Sequence, residues 1–217
     1  MEQHRIEAFL KALSVNAHSS VRIAAAGKVV YVDPFALKTA PHDADLIFFT
    51  HDHFDHCSPE DVARVSRPDT VFVLPETSRE KAASVTAGRR VITVRPGDRG
   101  EALGFPFEAV AAYNPGKPFH PRANGWVGYV LEIDGLRLYV AGDTDATPEA
   151  AAVRCDVAML PIGGKYTMDA REAAELANRI RPAVVVPIHY GSVAGSPGDF
   201  ERFAAAVDRD VRVLKLV

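Results

Sequence analysis

Cysteine is scarce: Cys57 and Cys155 are the two in 217 residues. Two thiols cannot build the disulfide framework of a small secreted domain, so a reducing, cytoplasmic setting is the expectation. An excess of one charge is lacking too. The net charge of −3 gives no global attraction to nucleic acid or to an anionic membrane surface. Long apolar runs are missing, and no stretch approaches the roughly 20 residues needed to span a bilayer. The first seven residues, Met1 to Glu7, are charged and lack the apolar centre of a secretion signal. Low-complexity tracts, charge blocks and obvious linkers are also absent. The chain therefore reads as a single domain, residues 1–217, with 47% apolar residues and enough length for a sizeable core.

What is present is a run of short strands broken by Gly, Pro and Asp turns. Ile6, Phe9, Leu10 and Leu13 have helical spacing, so a short amphipathic helix is expected there, packed on the domain. Val21–Ala24 and Val29–Val32 flank Gly27 as a hairpin that ends at Asp33-Pro34-Phe35. Leu46–Thr50 is an apolar strand. Ser58-Pro59-Glu60-Asp61 is a helix start, with Ser58 as N-cap and Pro59 in the first turn, and the helix runs to about Ser66. Strands at Val71–Leu74 and Val91–Val94 bracket an expected helix over Ser78–Thr86. A further strand covers Phe107–Ala112. Val127–Ile133 and Leu136–Ala141 flank Asp134-Gly135, a strong hairpin signal. Val157–Pro161 and Ala183–Ile188 are buried strands around a helix capped by Asp169 and followed by Pro182. Ser196-Pro197 predicts a helix over Pro197–Val207, and Val211–Val217 a last strand. Hairpins followed by strand–helix alternation, in both halves, predict an α+β fold. Two sheets pack face to face with helices outside, a four-layer αββα sandwich.

Chemistry concentrates in Thr50-His51-Asp52-His53-Phe54-Asp55-His56, on the loop leaving the strand Leu46–Thr50. Neutral imidazole and carboxylate are the ligands of Zn²⁺ and related cations, and a strand end holds them rigidly. Further candidates sit at later breaks: His120 in Phe119-His120-Pro121, Asp143 in Gly142-Asp143-Thr144, and His189 at the end of Ala183–Ile188. A site with two metals ~3.5–4 Å apart needs such a converging set. Cys57 is either a further thiolate ligand or a small buried thiol. Asp52 either orients a ligand histidine or is a solvated loop carboxylate, and Asp145 reads as a turn or cap residue. His4 and His42 read as surface histidines.

These motifs make the chain resemble the metallo-β-lactamase-fold superfamily of metal-dependent hydrolases. The resemblance is carried by His51-Asp52-His53-Phe54-Asp55-His56, His120, Gly142-Asp143-Thr144 and His189-Tyr190-Gly191, in the family's order. Within the superfamily it is most similar to small hydrolases related to ascorbate-6-phosphate lactonase. That similarity rests on His18-Ser19-Ser20, Asp33-Pro34-Phe35, and Pro161-Ile162-Gly163-Gly164 before Tyr166-Thr167-Met168. The resemblance implies that His51, His53 and His120 bind one divalent metal and Asp55, His56 and His189 a second. Asp143 would bridge both, with a bridging hydroxide as nucleophile. Asp55, Asp143 and His189 would then be central to catalysis. Zinc is the implied metal, with manganese, iron or nickel as alternatives.

The implied substrate is a small, anionic ester, phosphoester or lactone. His18, Lys165 and Tyr190 are its candidate contacts, with His18 alternatively supporting the ligands from behind. Lys117, Arg122 and Lys165 either bind an anionic group or are solvated charges. Trp126, Tyr166, Thr167 and Met168 line a pocket or belong to the core. Competing readings are a phosphodiesterase acting on nucleic acid and a nonenzymatic metal-binding protein. The negative charge and the lack of room for a large inserted domain disfavour the first, and the complete ligand set disfavours the second. Membrane contact is not expected, and no oligomeric state is legible.

Overall fold

The computed structural model describes residues 2–217, and statements on the fold refer to these. The first sheet holds β1 (Leu13–Val15), β2 (Val21–Ala25), β3 (Lys28–Val32), β4 (Ala44–Phe48), β5 (Ser66–Pro75) and β6 (Val91–Val94), in that spatial order. β1 to β3 are antiparallel, and β3 to β6 run parallel. The second sheet holds β7 (Arg99–Ala102), β8 (Phe105–Ala111), β9 (Val127–Ile133), β10 (Leu136–Val140), β11 (Val157–Pro161), β12 (Val184–Ile188) and β13 (Arg212–Val213). Here β7 to β10 are antiparallel and β10 to β13 parallel, so the two halves share one scheme.

The layers follow from which strand faces are apolar. Val30, Leu46, Phe48 and Val73 of the first sheet meet Phe107, Tyr129, Leu138 and Val186 of the second in one core between the sheets. Phe48 packs edge-on against Tyr129, with ring centroids 4.9 Å apart. Ile6, Phe9 and Leu10 of α1 (Glu2–Ala12) join this core. The parallel strands β4, β5, β11 and β12 are apolar on both faces and require cover on the outside as well. Ile47, Phe49 and Phe72 are covered by Val62 and Val65 of α2 (Pro59–Val65) and by Val85 of α3 (Ala83–Thr86). On the second sheet, Ala158, Leu160 and Val185 are covered by α4 (Pro148–Ala151), α5 (Ala170–Ile180) and α6 (Asp199–Ala206). This is the αββα sandwich expected from the sequence.

The caps behave as the residue types dictate. Ser58 accepts from the Asp61 N–H at the start of α2. Asp169 accepts from Arg171 N and Glu172 N, while Glu172 accepts from Asp169 N, a reciprocal capping box on α5. Asp61, buried in α2, accepts from the N–H groups of Ala36 and Leu37 at 2.9 Å each. It thereby ties the segment after β3 to the helix that follows the His/Asp run.

Three expectations need correction, and β1, which takes Leu13 from the expected helix, α4 and β7 were not foreseen. The segment Ser78–Thr86 is not one helix: a 3₁₀ turn at Glu76–Ser78 and the single turn α3 replace it. Past Ser78 only Ala82, Val85 and Thr86 are buried, too narrow an apolar stripe to hold a longer helix. α6 begins at Asp199 rather than Pro197, because the Asp199 carboxylate turns back onto the Ser196 N–H. The last strand is confined to Arg212–Val213, beyond which Leu214 and Leu216 pack only partly on the core. In β7, Arg99, Gly100 and Glu101 are exposed and show no apolar alternation, as suits a charged edge strand.

Candidate metal centre

The site lies beyond the C-terminal ends of β4, β10 and β12, where the chain leaves the rigid sheets. His51, Asp143 and His189 follow these strands by one to three residues. His53, Asp55 and His56 lie in the turn that runs into α2, where His56 N and Cys57 N both bond to the His53 carbonyl. His120 comes from the irregular segment 114–124, closed by Asn114 N donating to the His120 carbonyl at 2.8 Å. The seven residues arrive from four separate loops and meet.

They meet as two groups. His51, His53, His120 and Asp143 offer ligand atoms within 4.8 Å of one another, and so do His18, Asp55, His56 and His189. Asp143 faces both. Its Oδ2 lies 3.0 Å from His189 Nε2 and 3.3 Å from His120 Nε2, and its Oδ1 lies 3.4 Å from His56 Nε2. His51 Nε2 and His53 Nδ1 converge to 3.1 Å. His56 Nε2, His120 Nε2, His189 Nε2 and Asp143 Oδ1 are buried and have no hydrogen-bond partner. Buried polar atoms without partners are costly. Four of them aimed at one centre, all of metal-ligating type, fit a bound cation.

The electrostatics agree. Burial, reinforced by neighbouring imidazoles, holds His51 well below the ordinary histidine range and lowers His53 too, so both keep a lone pair at neutral pH. For His56, burial opposes protonation, but Asp143 and Asp33 outweigh it and raise it well above the ordinary value. An imidazole facing two carboxylates selects a positive partner, whether proton or metal ion. Burial pushes Asp55 up, yet the contact with His18 and the nearby His56 overcome this and bring it down to about 2. Asp143 is likewise held well below the carboxylate range: burial works against ionisation, and His189 and His56 prevail.

Behind the ligands stands Asp33, fully buried, to which the sequence reading assigned no task. It accepts from the Thr50 N–H at 2.8 Å and from the Thr50 hydroxyl at 2.6 Å, and its Oδ2 lies 2.7 Å from His56 Nδ1. With its proton given to Asp33, the Thr50 oxygen accepts from His51 Nδ1 at 2.9 Å. This network assigns the proton of both rings to Nδ1 and leaves both Nε2 atoms free toward the centre. The cluster Asp33–His51–His56 is thus hydrogen-bonded support. On the opposite side Trp126, buried to 7% exposure, sets its ring 4.8 to 5.5 Å from the rings of His51, His53 and His120.

Other expectations sort cleanly. Cys57 is a buried thiol pushed up to about 12 by burial, with Asp33 and Asp52 adding to it. Asp52 pairs with Lys81 at 2.9 Å and, among the described residues, its carboxylate hydrogen-bonds to none of the candidate ligand histidines. Asp145 accepts from Lys117 at 2.6 Å and from Asn114 at 3.0 Å. Arg122 is engaged by Glu149 at 2.7 Å, so neither Lys117 nor Arg122 is a free cation for substrate. Lys165 is exposed, its ammonium 5.0 Å from the centre of the Tyr166 ring. Tyr190 is buried among the helix-side apolar residues, its pKa raised by burial and by Glu201, so its ring belongs to that core. His18 is buried too, with Nε2 3.2 Å from Asp55 and its ring 3.8 Å from that of His189. It supports the second group and does not line the cavity above it. Thr167 and Met168 are fully buried; Tyr166 alone of that trio reaches the cavity.

His189 is held from beneath. Its N–H donates to the His18 carbonyl at 3.1 Å, and a Cβ at Gly163 would stand 2.3 Å from the His189 carbonyl oxygen. Gly163→Ala is therefore expected to push His189 off its position. The variant should fold with a loss of about 1–3 kcal/mol and lose about 10²-fold in turnover, measured by denaturant unfolding and kinetics.

With this geometry in view, the comparisons with known proteins are consistent. A family model described as the beta-lactamase superfamily domain matches residues 12–189. A UPF0173 metal-dependent hydrolase of Thermoplasma acidophilum is 34% identical over 194 residues, covering 82% of this chain and 83% of that one. A protein of Parabacteroides distasonis described as a metal-dependent hydrolase superposes with a TM-score of 0.82 at 32% identity, over 94% of this chain and 91% of that one. Igni18, a metallo hydrolase from Ignicoccus hospitalis, superposes at 0.71 with 26% identity over 94% of each chain. An αββα sandwich with histidines and aspartates gathered at one end of its strands defines the metallo-β-lactamase fold. The chain belongs to that superfamily, among its metal-dependent hydrolases.

Proposed function

We propose that the two groups hold two divalent cations and that the chain, working as one domain, hydrolyses a small-molecule ester, lactone or phosphoester. The observation that carries this reading is the set of buried, unpartnered atoms, His56 Nε2, His120 Nε2, His189 Nε2 and Asp143 Oδ1, drawn from four loops around one carboxylate. His51, His53 and His120 serve one cation, Asp55, His56 and His189 the other, and Asp143 is shared. Zinc suits the nitrogen and oxygen donors, and manganese, iron and nickel compete for the same set. Bound cations supply a water-derived nucleophile near neutral pH and polarise the oxygen under attack.

The chain's own residues do the rest. Asp143, facing imidazoles of both groups, would neutralise part of the charge held there. Asp33 and Thr50 hold the His51 and His56 rings with the Nε2 lone pairs inward. Asp55, which stays ionised at neutral pH, acts as an acceptor and not as a proton donor. Trp126 keeps water from the back of three ligand rings. No serine or cysteine nucleophile is needed, consistent with Cys57 being held protonated. The test is elemental analysis of protein purified without a His-tag or chelator. About two equivalents of transition metal per chain are expected. No metal, even after reloading with zinc and manganese, overturns the reading.

A further inference from the structure

Above the metal centre opens a cavity of about 330 Å³, with candidate ligands His53, Asp55, His120, Asp143 and His189 at its floor. Its walls are Phe54, Phe119, Tyr166 and Val193. Three of these are among the large apolar side chains the fold leaves in water: Phe54 is 68% exposed, Val193 42% and Phe119 39%. The aromatic walls are held by ring contacts. Phe54 meets Phe35 edge-on at 6.1 Å, and Phe119 meets Tyr166 edge-on at 4.7 Å. Among the described residues, no lysine or arginine lines the cavity. Of the cations nearby, three are committed, Lys117 to Asp145, Arg122 to Glu149 and Lys81 to Asp52, and Lys165 lies over the Tyr166 ring outside the lining. An anionic substrate group beyond the metal centre would meet aromatic faces, with the one nearby unpaired ammonium, Lys165, outside the lining and over the Tyr166 ring. An apolar group of similar size would cover surface that is otherwise hydrated. Exposed aromatic side chains gathered around a pocket mouth mark a ligand surface, since packing gives no reason for their exposure.

Resting on the hydrolase reading above, we infer that the substrate is an uncharged carboxylic ester or lactone whose apolar aryl or alkyl portion lies between Phe54 and Phe119, and not a phosphoester. This narrows the anionic class suggested by resemblance. The test uses the metal-loaded full chain with 4-nitrophenyl esters from acetate to hexanoate, and 4-nitrophenyl phosphate as the charged counterpart. In parallel, calorimetry follows binding of the matching uncharged primary amides, which need not turn over. kcat/KM is expected to rise about three- to fourfold per added methylene, as does amide affinity. Phe54→Ser and Phe119→Ser, both at exposed positions, should flatten both slopes. A flat slope, or faster turnover of the phosphate, overturns the apolar class while leaving the hydrolase reading intact. Amide binding that strengthens with chain length, with no ester hydrolysed, supports the apolar site and counts against ester hydrolysis. The absence of both binding and turnover overturns the inference outright.

Discussion

Replacing Asp143 with alanine is expected to lower turnover by at least about 10³-fold and to reduce metal content from about two equivalents to one or fewer. Asp143 is the one carboxylate that faces both groups, within 3.0–3.4 Å of Nε2 of His56, His120 and His189. Alanine removes a negative charge from among imidazoles and leaves nothing to fix the spacing of two cations, whose repulsion must be offset for both to bind. A 10³-fold loss corresponds to about 4 kcal/mol of transition-state stabilisation, a reasonable share for the shared group of a two-metal site. The measurement is elemental analysis and steady-state kinetics on the same preparation, with circular dichroism to establish that the sandwich is intact. Asp143→Asn separates charge from shape: it keeps the size and one acceptor oxygen but not the charge, so metal loss should persist. Unchanged turnover with full metal in either variant would rule out the shared role.

The convergence of the candidate residues was legible because imidazole and carboxylate types recur at strand ends, and strand ends are readable from apolar runs bounded by turn residues. His51, Asp143 and His189 each follow a strand whose limits were found to within about two residues. His120, in a segment without regular structure, was reached through its place in the order of motifs that carries the family resemblance. What escaped the sequence has a common physical character. Asp33 stood in a quoted motif, but its task depends on β3 lying parallel to β4, which brings it beside Thr50 across the sheet. Such pairing is nonlocal and leaves no periodic signal. The fate of the cations escaped likewise: Lys117 and Arg122 read either as substrate groups or as solvated charges until Asp145 and Glu149, 27 or more residues away, are seen to hold them. The helix over Ser78–Thr86 failed because helix-compatible residues there have too little core to bury against. Of the aromatic mouth only Tyr166 was raised as a pocket residue; Phe54 and Phe119 were not, because exposure cannot be read from a lone Phe in a polar loop.

The second large effect falls on Asp33→Asn, which is expected to leave the fold nearly as stable while weakening metal affinity about 10- to 100-fold. The two side chains have the same shape, so the loss traces to proton placement. In the native site the Asp33 carboxylate accepts from the Thr50 N–H, from the Thr50 hydroxyl and from His56 Nδ1. In Asp33→Asn the amide oxygen can still accept from Thr50 N, but the NH₂ now points at His56 Nδ1 and at the Thr50 hydroxyl. An NH₂ group donates, so His56 must take the other tautomer, with its proton on Nε2, the atom that faces Asp143. The Thr50 hydroxyl must also turn, and its oxygen no longer accepts from His51 Nδ1 alone. One substitution outside the ligand set thus protonates a ligand atom in one half of the site and loosens a ring in the other. Asp33→Ala differs in kind. It strands three buried donors and is expected to cost about 2–4 kcal/mol of stability as well as metal. The contrast identifies the mechanism. Competition with a chromogenic chelator should show weakened affinity in both variants, whereas denaturant unfolding should show the large stability loss in Asp33→Ala alone. If Asp33→Asn binds metal as the native protein does, Asp33 serves folding and not the tautomers of His51 and His56. If instead His56 is forced to carry its proton on Nε2, nitrogen-15 spectra of the metal-free proteins, taken at a pH where the native ring is neutral, will show that ring in the tautomer opposite to the native one.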